Sequence, residues 1–427
     1  MRFSWKFGVP IRPPVIIAGE SDSVAEDDGN PFTTRNSYWK GIVWLLIALG
    51  AQTAASLMSE EVEAYYSQFL FYYTTRALSM LNKFVTGIAL GEIFFGVLVV
   101  WFTLWSVWYL RRSYRRETKF YNVLKVFFLQ ILWLGSILVP LFLALWGLNY
   151  QRTPLAETLG FERIPTRTGD LGSIGLQIVS GVNSNYDIAR GTGERPSAPS
   201  RDAIYKAVEQ SFQKETLLGE AAKGAFSDPK PLALSRLASW AGVNGFYIPF
   251  TGEVTYNPDI PAVELPMAIA HHKAHQRGYA REDEANFVAY VVCINSTDPY
   301  VRYSGYVYGL KVLDVLSKGN VDRYNDINEG PKADLRERTQ FWERTQSSVL
   351  NALSRRIFSA YLRANRVSGG IKNLDEDVSL IVGYYLKNPQ GQPASGTGVD
   401  QFPNEGAEFP ETQAQPSPAP ARGPSAF

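Results

Sequence analysis

The three histidines of this 427-residue chain, His271, His272 and His275, all lie within one five-residue stretch. Random placement would rarely produce such a cluster, so this stretch is the first candidate for a functional site. His271 and His275 are four residues apart, and on an α-helix this spacing puts both imidazoles on one face. Two histidines placed in this way can bind one zinc ion. The alternative is that they are solvated or satisfied within a core.

The residues after the histidines offer a third zinc ligand. Pro266 suits the first turn of a helix that contains the histidines, and Gly278 suits its C-terminal stop. In the next predicted helix, Glu282 lies along the apolar stripe, whereas Glu284 is about 200° away around the helix axis. A carboxylate that faces an apolar interface is costly unless it is paired or binds a metal. Glu282 is therefore the expected third ligand.

Asn286 lies one helical turn after Glu282 and is the expected outer partner of the zinc ligands. The alternative is that the acidic residues from Glu282 to Glu284 form a plain surface cluster at the N-terminus of their helix, where negative charge is favourable.

These segments resemble family 3810 of the domains of unknown function, which are membrane proteins with three N-terminal spans and an outer metallopeptidase-like domain. The resemblance covers roughly residues 40–385 and rests on WGLNYQR, SRLASWAGVNGFYIPFTGEVTYNPDIP, LPMAIAHHKAHQRGYAREDEANFVAY and RYSGY. The family motif is His-Glu-x-x-His followed by Glu-x-x-Ala-Asn. The resemblance implies that His271, His275 and Glu282 are the zinc ligands, in agreement with the helical spacing.

The chain departs from the family motif at His272, where the family has glutamate. In zinc peptidases of this type that glutamate is the general base for the water on the zinc. Three roles of His272 stay open. It could be a substitute base, because imidazole accepts a proton near neutral pH. It could be a fourth ligand that closes the site, or it could belong to a domain that only binds zinc.

Two further groups of residues are candidates for contacting a substrate. Thr251 and Glu253 belong to a predicted strand or hairpin over residues 244–257, which could be an edge strand that pairs with an extended peptide. The alternative is an internal hairpin. Tyr303 and Tyr306 are candidates for stabilising a tetrahedral oxyanion, and the alternative is that both are ordinary core or surface tyrosines.

Three apolar runs, residues 41–58, 85–110 and 126–148, are expected to span a membrane, because a span needs roughly 20 apolar residues. Basic residues fill the loop at 111–119, which is therefore predicted to be cytoplasmic. Three spans that start inside place everything after residue 150 outside. Glu92 lies within the second run and is interpreted as interfacial, the alternative being a functional intramembrane carboxylate.

The rest of the chain is divided by composition. Residues 1–38 and 388–427 are predicted to be disordered, and residues 151–387 to form the outer domain. Within that domain, residues 151–200 are expected to be a linker with one or two poor helices, followed by a helix capped by Asp202. Further helices are expected at 266–277, 281–294, 333–364 and 374–386.

Composition excludes several classes of protein. A net charge of +1 excludes a generally basic nucleic-acid binder, so no nucleic-acid partner is expected. The single cysteine, Cys293, excludes an intramolecular disulfide and a four-cysteine metal site.

The sequence therefore predicts a mainly α protein with a small β element, in which three N-terminal transmembrane helices precede a helical, zincin-like extracytoplasmic domain. The expected function is hydrolysis of a peptide or protein substrate by a zinc-bound water, with His272 as a compromised base. The alternatives are a non-catalytic zinc-binding or interaction protein of the cell envelope and, from another class, a transport component that uses Glu92. The expected partners are the lipid bilayer and a peptide or protein.

Overall fold

The computed structural model of the protein describes residues 35–85, 87–115, 120–161, 168–224, 226–318, 324–367 and 377–388. The termini predicted to be disordered lie outside these ranges, apart from residues 35–38 and 388. Within the described ranges the chain is mainly helical with one small sheet, as predicted.

The helices fall into an N-terminal apolar group and a C-terminal group that builds the C-terminal domain. The first group is α1 (Arg35–Ala55), α2 (Ser59–Glu61), α3 (Phe71–Asn82), α4 (Leu90–Arg115) and α5 (Phe120–Leu145). The second group is α6 (Leu155–Thr158), α7 (Thr168–Arg190), α8 (Arg201–Lys214), α9 (Ser235–Ala241), α10 (Leu265–Gln276), α11 (Glu282–Ile294), α12 (Pro299–Gly309), α13 (Lys311–Lys318), α14 (Glu329–Thr345), α15 (Ser348–Ala364) and α16 (Asp377–Lys387).

Among the described residues, α4 and α5 are each long and apolar enough to cross a membrane. Each has 26 residues and is therefore about 39 Å long, which exceeds the roughly 30 Å of a bilayer's hydrocarbon core. Helix α1 packs against α5 and is followed by a bend of 99°. The bent pair counts as a third span only if both of its arms are taken together.

The segment between α1 and α4 is helical over most of its length. Residues Ser59–Asn82 form one continuous helical arm, in which a π-helical stretch, Val62–Leu70, joins α2 to α3. One side of this arm packs against the C-terminal domain, where Ser79 Oγ accepts the N–H of Ser227 and Phe71 is fully buried. The apolar side chains that cover this contact are far apart in sequence, so a local pattern did not reveal it.

The C-terminal domain has a core that includes residues expected to be a linker. Helix α7 runs through the predicted linker, and Ile174, Ile178 and Val182 on one of its faces are buried in the core of the domain. Their spacing of four residues is helical, but the many glycine and serine residues around them hid the pattern. The linker prediction is therefore wrong. The cap of α8 also differs, because Ser200, not Asp202, accepts the N–H of Ala203.

The sheet is small and has the strand order β1-β3-β2. Strand β1 (Lys230–Pro231) pairs in parallel with β3 (Glu253–Tyr256), and β2 (Gly245–Ile248) pairs antiparallel with the other side of β3. The predicted hairpin therefore forms. However, β3 is the central strand, so its backbone is already paired on both sides and cannot add a peptide strand. The edge-strand prediction for Thr251 and Glu253 is wrong, and the internal-hairpin alternative holds.

Glu253 instead binds the start of α4. Its carboxylate accepts the backbone N–H groups of Leu90 at 3.0 Å and Gly91 at 2.6 Å, and a hydrogen bond from Thr251 Oγ1 at 2.9 Å. It also forms an ion pair with Lys230, and both charged side chains are almost fully buried. A carboxylate at a helix N-terminus satisfies free N–H groups and the helix dipole. This pair joins the C-terminal domain to the apolar helix α4.

We expect Glu253→Ala to lower the free energy of unfolding by about 3–5 kcal/mol, because it leaves Lys230 buried without its charged partner. Thermal unfolding of the full-length chain in detergent would measure the loss. The double variant with Lys230→Met should recover part of the stability, because it removes the unpaired cation. A single variant as stable as the wild type would contradict the buried pair.

Candidate metal centre

The histidine segment and the following acidic segment form two packed helices, α10 and α11. Pro266 lies in the first turn of α10. Gly278 lies in the connection between α10 and α11. Its backbone is in the left-handed region with φ = 87°, where residues with a side chain are strained. A Cβ atom at this position would also lie only 3.0 Å from the Phe71 ring. This tight turn brings the N-terminus of α11 beside the histidines.

His271, His275 and Glu282 meet at one point. The two histidine Nε2 atoms are 3.1 Å apart. Glu282 Oε2 lies 3.3 Å from His271 Nε2, and its Oε1 lies 3.4 Å from His275 Nε2. Donors bound to a tetrahedral zinc ion at 2.0–2.1 Å are about 3.3 Å from one another. These distances, which involve both oxygens of Glu282, are close to the spacing of donor atoms around a tetrahedral zinc ion.

The hydrogen bonds and the charge around these three side chains also favour the binding of a cation. His275 Nδ1 donates to the backbone carbonyl of Tyr279 at 2.7 Å, so Nε2, which lies 3.1 Å from His271 Nε2, is the nitrogen left to bind a metal. Burial by itself would raise the pKa of Glu282, but the two imidazoles hold that pKa well below its usual range. Burial and the neighbouring His275 lower the pKa of His271. One carboxylate and two imidazoles are a donor set that zinc binds readily.

Asn286 lies one turn after Glu282, as the helical arithmetic predicts, and its side chain raises the pKa of His271 against the effect of burial. Glu284 has a different surrounding. It is buried, and its Oε1 accepts the N–H of Leu155 at 2.8 Å and a hydrogen bond from Arg281 at 3.2 Å. Glu284 therefore fixes the start of α6, while Glu282 faces the histidines.

His272 lies next to the three candidate ligands. Its Nε2 is 3.2 Å from Asn244 Oδ1, so Nε2 carries the proton and Nδ1 keeps a lone pair. That Nδ1 is buried and has no hydrogen-bond partner among the described residues. Burial and the two other histidines hold the pKa of His272 well below its usual value. His272 is thus a neutral imidazole with a free acceptor atom.

The imidazole of His272 fits under strand β2 only because Gly245 has no side chain. A Cβ atom at Gly245 would lie 2.6 Å from His272 Cδ2 and 2.7 Å from its Nε2. Candidate ligand atoms of all three histidines lie within 4.8 Å of one another. The tight triangle is formed by His271, His275 and Glu282, with His272 to its side and hydrogen bonded to Asn244.

Aromatic residues that the sequence did not single out surround the triangle. Trp146 Nε1 donates to the backbone carbonyl of His275 at 3.1 Å. The hydroxyl of Tyr150 donates to that of Tyr361 at 3.2 Å. Burial raises the pKa of both tyrosines, and the charge of Glu282 raises each further, so both lie near Glu282. Tyr150 belongs to the segment WGLNYQR, but Tyr361 carries no local signal.

The tyrosines that the sequence proposed for the oxyanion lie elsewhere. The hydroxyl of Tyr303 donates to Asp334 at 2.8 Å, and the Tyr303 ring packs against Tyr186 of α7. The ring of Tyr306 packs so closely on Gly181 of α7 that a Cβ there would lie 2.3 Å from it. Both are structural residues in the contact between α12 and α7, so the oxyanion prediction is corrected.

The centre is nearly closed in this structure. The side chains of His271 and Glu282 are each 12% exposed, and that of His275 is 7% exposed. Only a small part of the surface of these three side chains is therefore in contact with solvent.

A family model described as "Protein of unknown function (DUF3810)" matches residues 66–382, which include the histidine cluster, Glu282 and both tyrosines beside them. No curated protein and no solved structure matches the chain.

Proposed function

We propose that this chain, which belongs to the DUF3810 family, is a membrane-anchored zinc protein whose outer domain hydrolyses peptide bonds. The observation that carries the proposal is the triangle of His271, His275 and Glu282, whose edges of 3.1–3.4 Å match those of a zinc tetrahedron. In the proposal these three residues hold one zinc ion and leave a fourth position open.

The zinc would supply a Lewis acid that polarises the carbonyl of the scissile peptide. The free Nδ1 of His272 would take a proton from the attacking water and return it to the leaving amine, so that water is added across the C–N bond. Asn244 holds His272 in the tautomer that this role requires. The pair Tyr150–Tyr361 would donate a hydrogen bond to the oxygen on which negative charge develops.

The simplest test of the metal is the zinc content of the full-length chain purified in detergent. We expect one zinc per chain after dialysis against metal-free buffer. A chain that holds no zinc, and takes none up when zinc is added back, would contradict the proposal.

A non-catalytic zinc protein is the second candidate. Two observations favour it, namely the position of His272 where a carboxylate base is expected and the near closure of the centre, with 12% exposure at His271 and Glu282. The two candidates bind zinc alike and differ in whether any peptide is cleaved. A transport role for Glu92 has less support, because Glu92 lies in the first turn of α4 and accepts the N–H groups of Ala233 and Leu234.

We further propose that α1, α4 and α5 are three membrane spans and that the outer domain is extracytoplasmic. In this proposal α1 spans without the arm that follows it, because its 21 residues extend about 31 Å. The ends of these helices that meet the domain alternate as three spans require: the C-terminal end of α1, the N-terminal end of α4 and the C-terminal end of α5. The opposite end carries Arg111, Arg112 and Arg115 of α4. Basic residues next to a span favour the cytoplasmic side.

We expect a reporter enzyme that works only outside the cytoplasm to be active when it is fused after residue 390 and silent when it is fused at residue 115. A cytoplasmic reporter at the same two positions should give the reverse pattern and serves as the control. A silent fusion at 390 together with an active one at 115 would invert the proposed orientation.

A further inference from the structure

Three helical segments at the membrane end of the outer domain expose apolar side chains on the side away from its core. The first is the arm Ser59–Asn82, which leaves α1 at an angle of 99°. A helix at this angle to a span lies nearly parallel to the membrane surface. Tyr65, Phe69 and Tyr73 form a stripe along it and are 58–74% exposed, while its other side packs on the domain through Ser79 and Phe71.

The second segment is α9, which begins beside the outer end of α4. Glu92 in the first turn of α4 accepts the N–H groups of Ala233 and Leu234, just before α9. Leu234, Leu237 and Trp240 are 42–64% exposed. These side chains therefore start at the level where the apolar surface of α4 begins.

The third segment, α15, runs from α9 to the outer end of α1. Its N-terminal end meets α9, where Ser347 N–H donates to the Trp240 carbonyl at 2.9 Å. Its C-terminal end meets the outer end of α1, where Gln52 donates to the Ala364 carbonyl at 3.2 Å. Helix α15 thus runs across the outer ends of the apolar helices. Its residues Val349, Leu353 and Ile357 repeat every four positions and are 51–73% exposed.

We propose that these three stripes together form a seating face that lies in the lipid–water interface of the outer leaflet. The occupant is lipid, because the face is continuous with the exposed apolar surfaces of α1 and α4, which the same bilayer would cover. Aromatic rings such as Tyr65 and Trp240 suit this depth. Arg356 and Arg363 flank the stripe of α15, where they would reach the lipid phosphates.

The seating face gives the centre a position relative to the membrane. Trp146, which binds the His275 carbonyl, directly follows α5. Tyr361, whose pKa is raised by burial and by the charge of Glu282, belongs to α15 and accepts a hydrogen bond from the Tyr150 hydroxyl at 3.2 Å. The centre therefore lies a short distance above the lipid surface. A polypeptide that reaches it would be one held at that surface, such as the segment of a membrane protein next to its span. This inference depends on the proposed membrane placement but not on the metal or on hydrolysis.

Fluorescence quenching by lipid-borne spin labels tests the seating face in the full-length chain reconstituted in nanodiscs. Cys293 is fully buried and unpaired, so a Cys293→Ala background allows one label at a chosen position. The patch position is Leu353→Cys, and its matched control is Arg355→Cys, which is exposed on the opposite side of the same helix. Val99→Cys, 64% exposed within α4, reports on the span itself.

We expect lipid quenchers to reduce the emission at position 353 several-fold more than at position 355. Quenchers near the headgroups should act on position 353 more strongly than quenchers near the chain ends, as for a helix buried about 5–10 Å into the interface. Equal, weak quenching at 353 and 355 with strong quenching at 99 would overturn the seating face and leave the span intact. No quenching at 99 would instead overturn the membrane placement.

One further result would overturn the inference. A label at 353 that lipid does not quench, but that is quenched by a labelled second copy in the same disc, would place another chain on this face instead of lipid.

Discussion

We expect the double variant His271→Ala and His275→Ala to lose its zinc, so that the metal content of the purified chain falls from one ion to none. Two of the three donors that converge at 3.1–3.4 Å are then gone, and Glu282 alone cannot hold the ion. Glu282→Gln should keep the shape of the side chain but remove the negative charge that Glu282 alone supplies among the three proposed ligands. It should weaken zinc binding by more than roughly 10- to 100-fold, which is the typical effect of substituting a residue that only hydrogen bonds to a metal ligand.

The matched control for the metal is Glu284→Gln, which changes a buried carboxylate two residues away. Because Glu284 binds Leu155 N–H and Arg281 and not the histidines, its substitution should lower stability but leave the zinc content unchanged. Zinc titration of both variants, together with thermal unfolding, separates the two effects. Equal loss of zinc from both variants would contradict the assignment of Glu282 as the ligand.

We expect His272→Glu to raise peptidase activity on a flexible substrate by at least about 100-fold, the low end for a positioned acid–base group. The position lies beside the triangle, and the burial that lowers the pKa of the His272 imidazole would raise that of a carboxylate. Glutamate would therefore supply the base of the family motif while His271, His275 and Glu282 stay in place. Hydrolysis of an unfolded, labelled protein by the reconstituted chain measures the effect, and zinc content confirms that the metal is retained.

The matched control for this substitution is His272→Gln, which has the shape of glutamate but cannot act as a base. It should cleave no faster than the wild type. If His272→Glu binds zinc normally and still cleaves nothing across a broad panel of substrates, peptide hydrolysis is not the task of this scaffold. The zinc-binding protein of the envelope would then replace the peptidase as the proposed function.

Local sequence patterns were enough to predict the helices that carry the candidate metal centre. Pro266, Gly278 and the four-residue spacing of His271 and His275 predicted a helix with two imidazoles on one face, and α10 has this form. The phase of α11 followed from its apolar stripe, which separated Glu282 from Glu284. The apolar runs likewise predicted α4 and α5. These features depend on helical geometry over a few residues, and such geometry is the same in every fold.

The tertiary structure alone decided which distant residues complete the centre. Tyr361 is 211 residues from Tyr150, and Asn244 is 28 residues from His272. No periodicity within one element relates such pairs, because their distance depends on how whole helices pack. The same reason explains the errors at Tyr303, Tyr306 and Glu253, whose partners lie on other elements. Whether a strand lies at the edge or the centre of a sheet is also decided by its neighbours, and for β3 these neighbours begin 23 residues upstream, at Lys230.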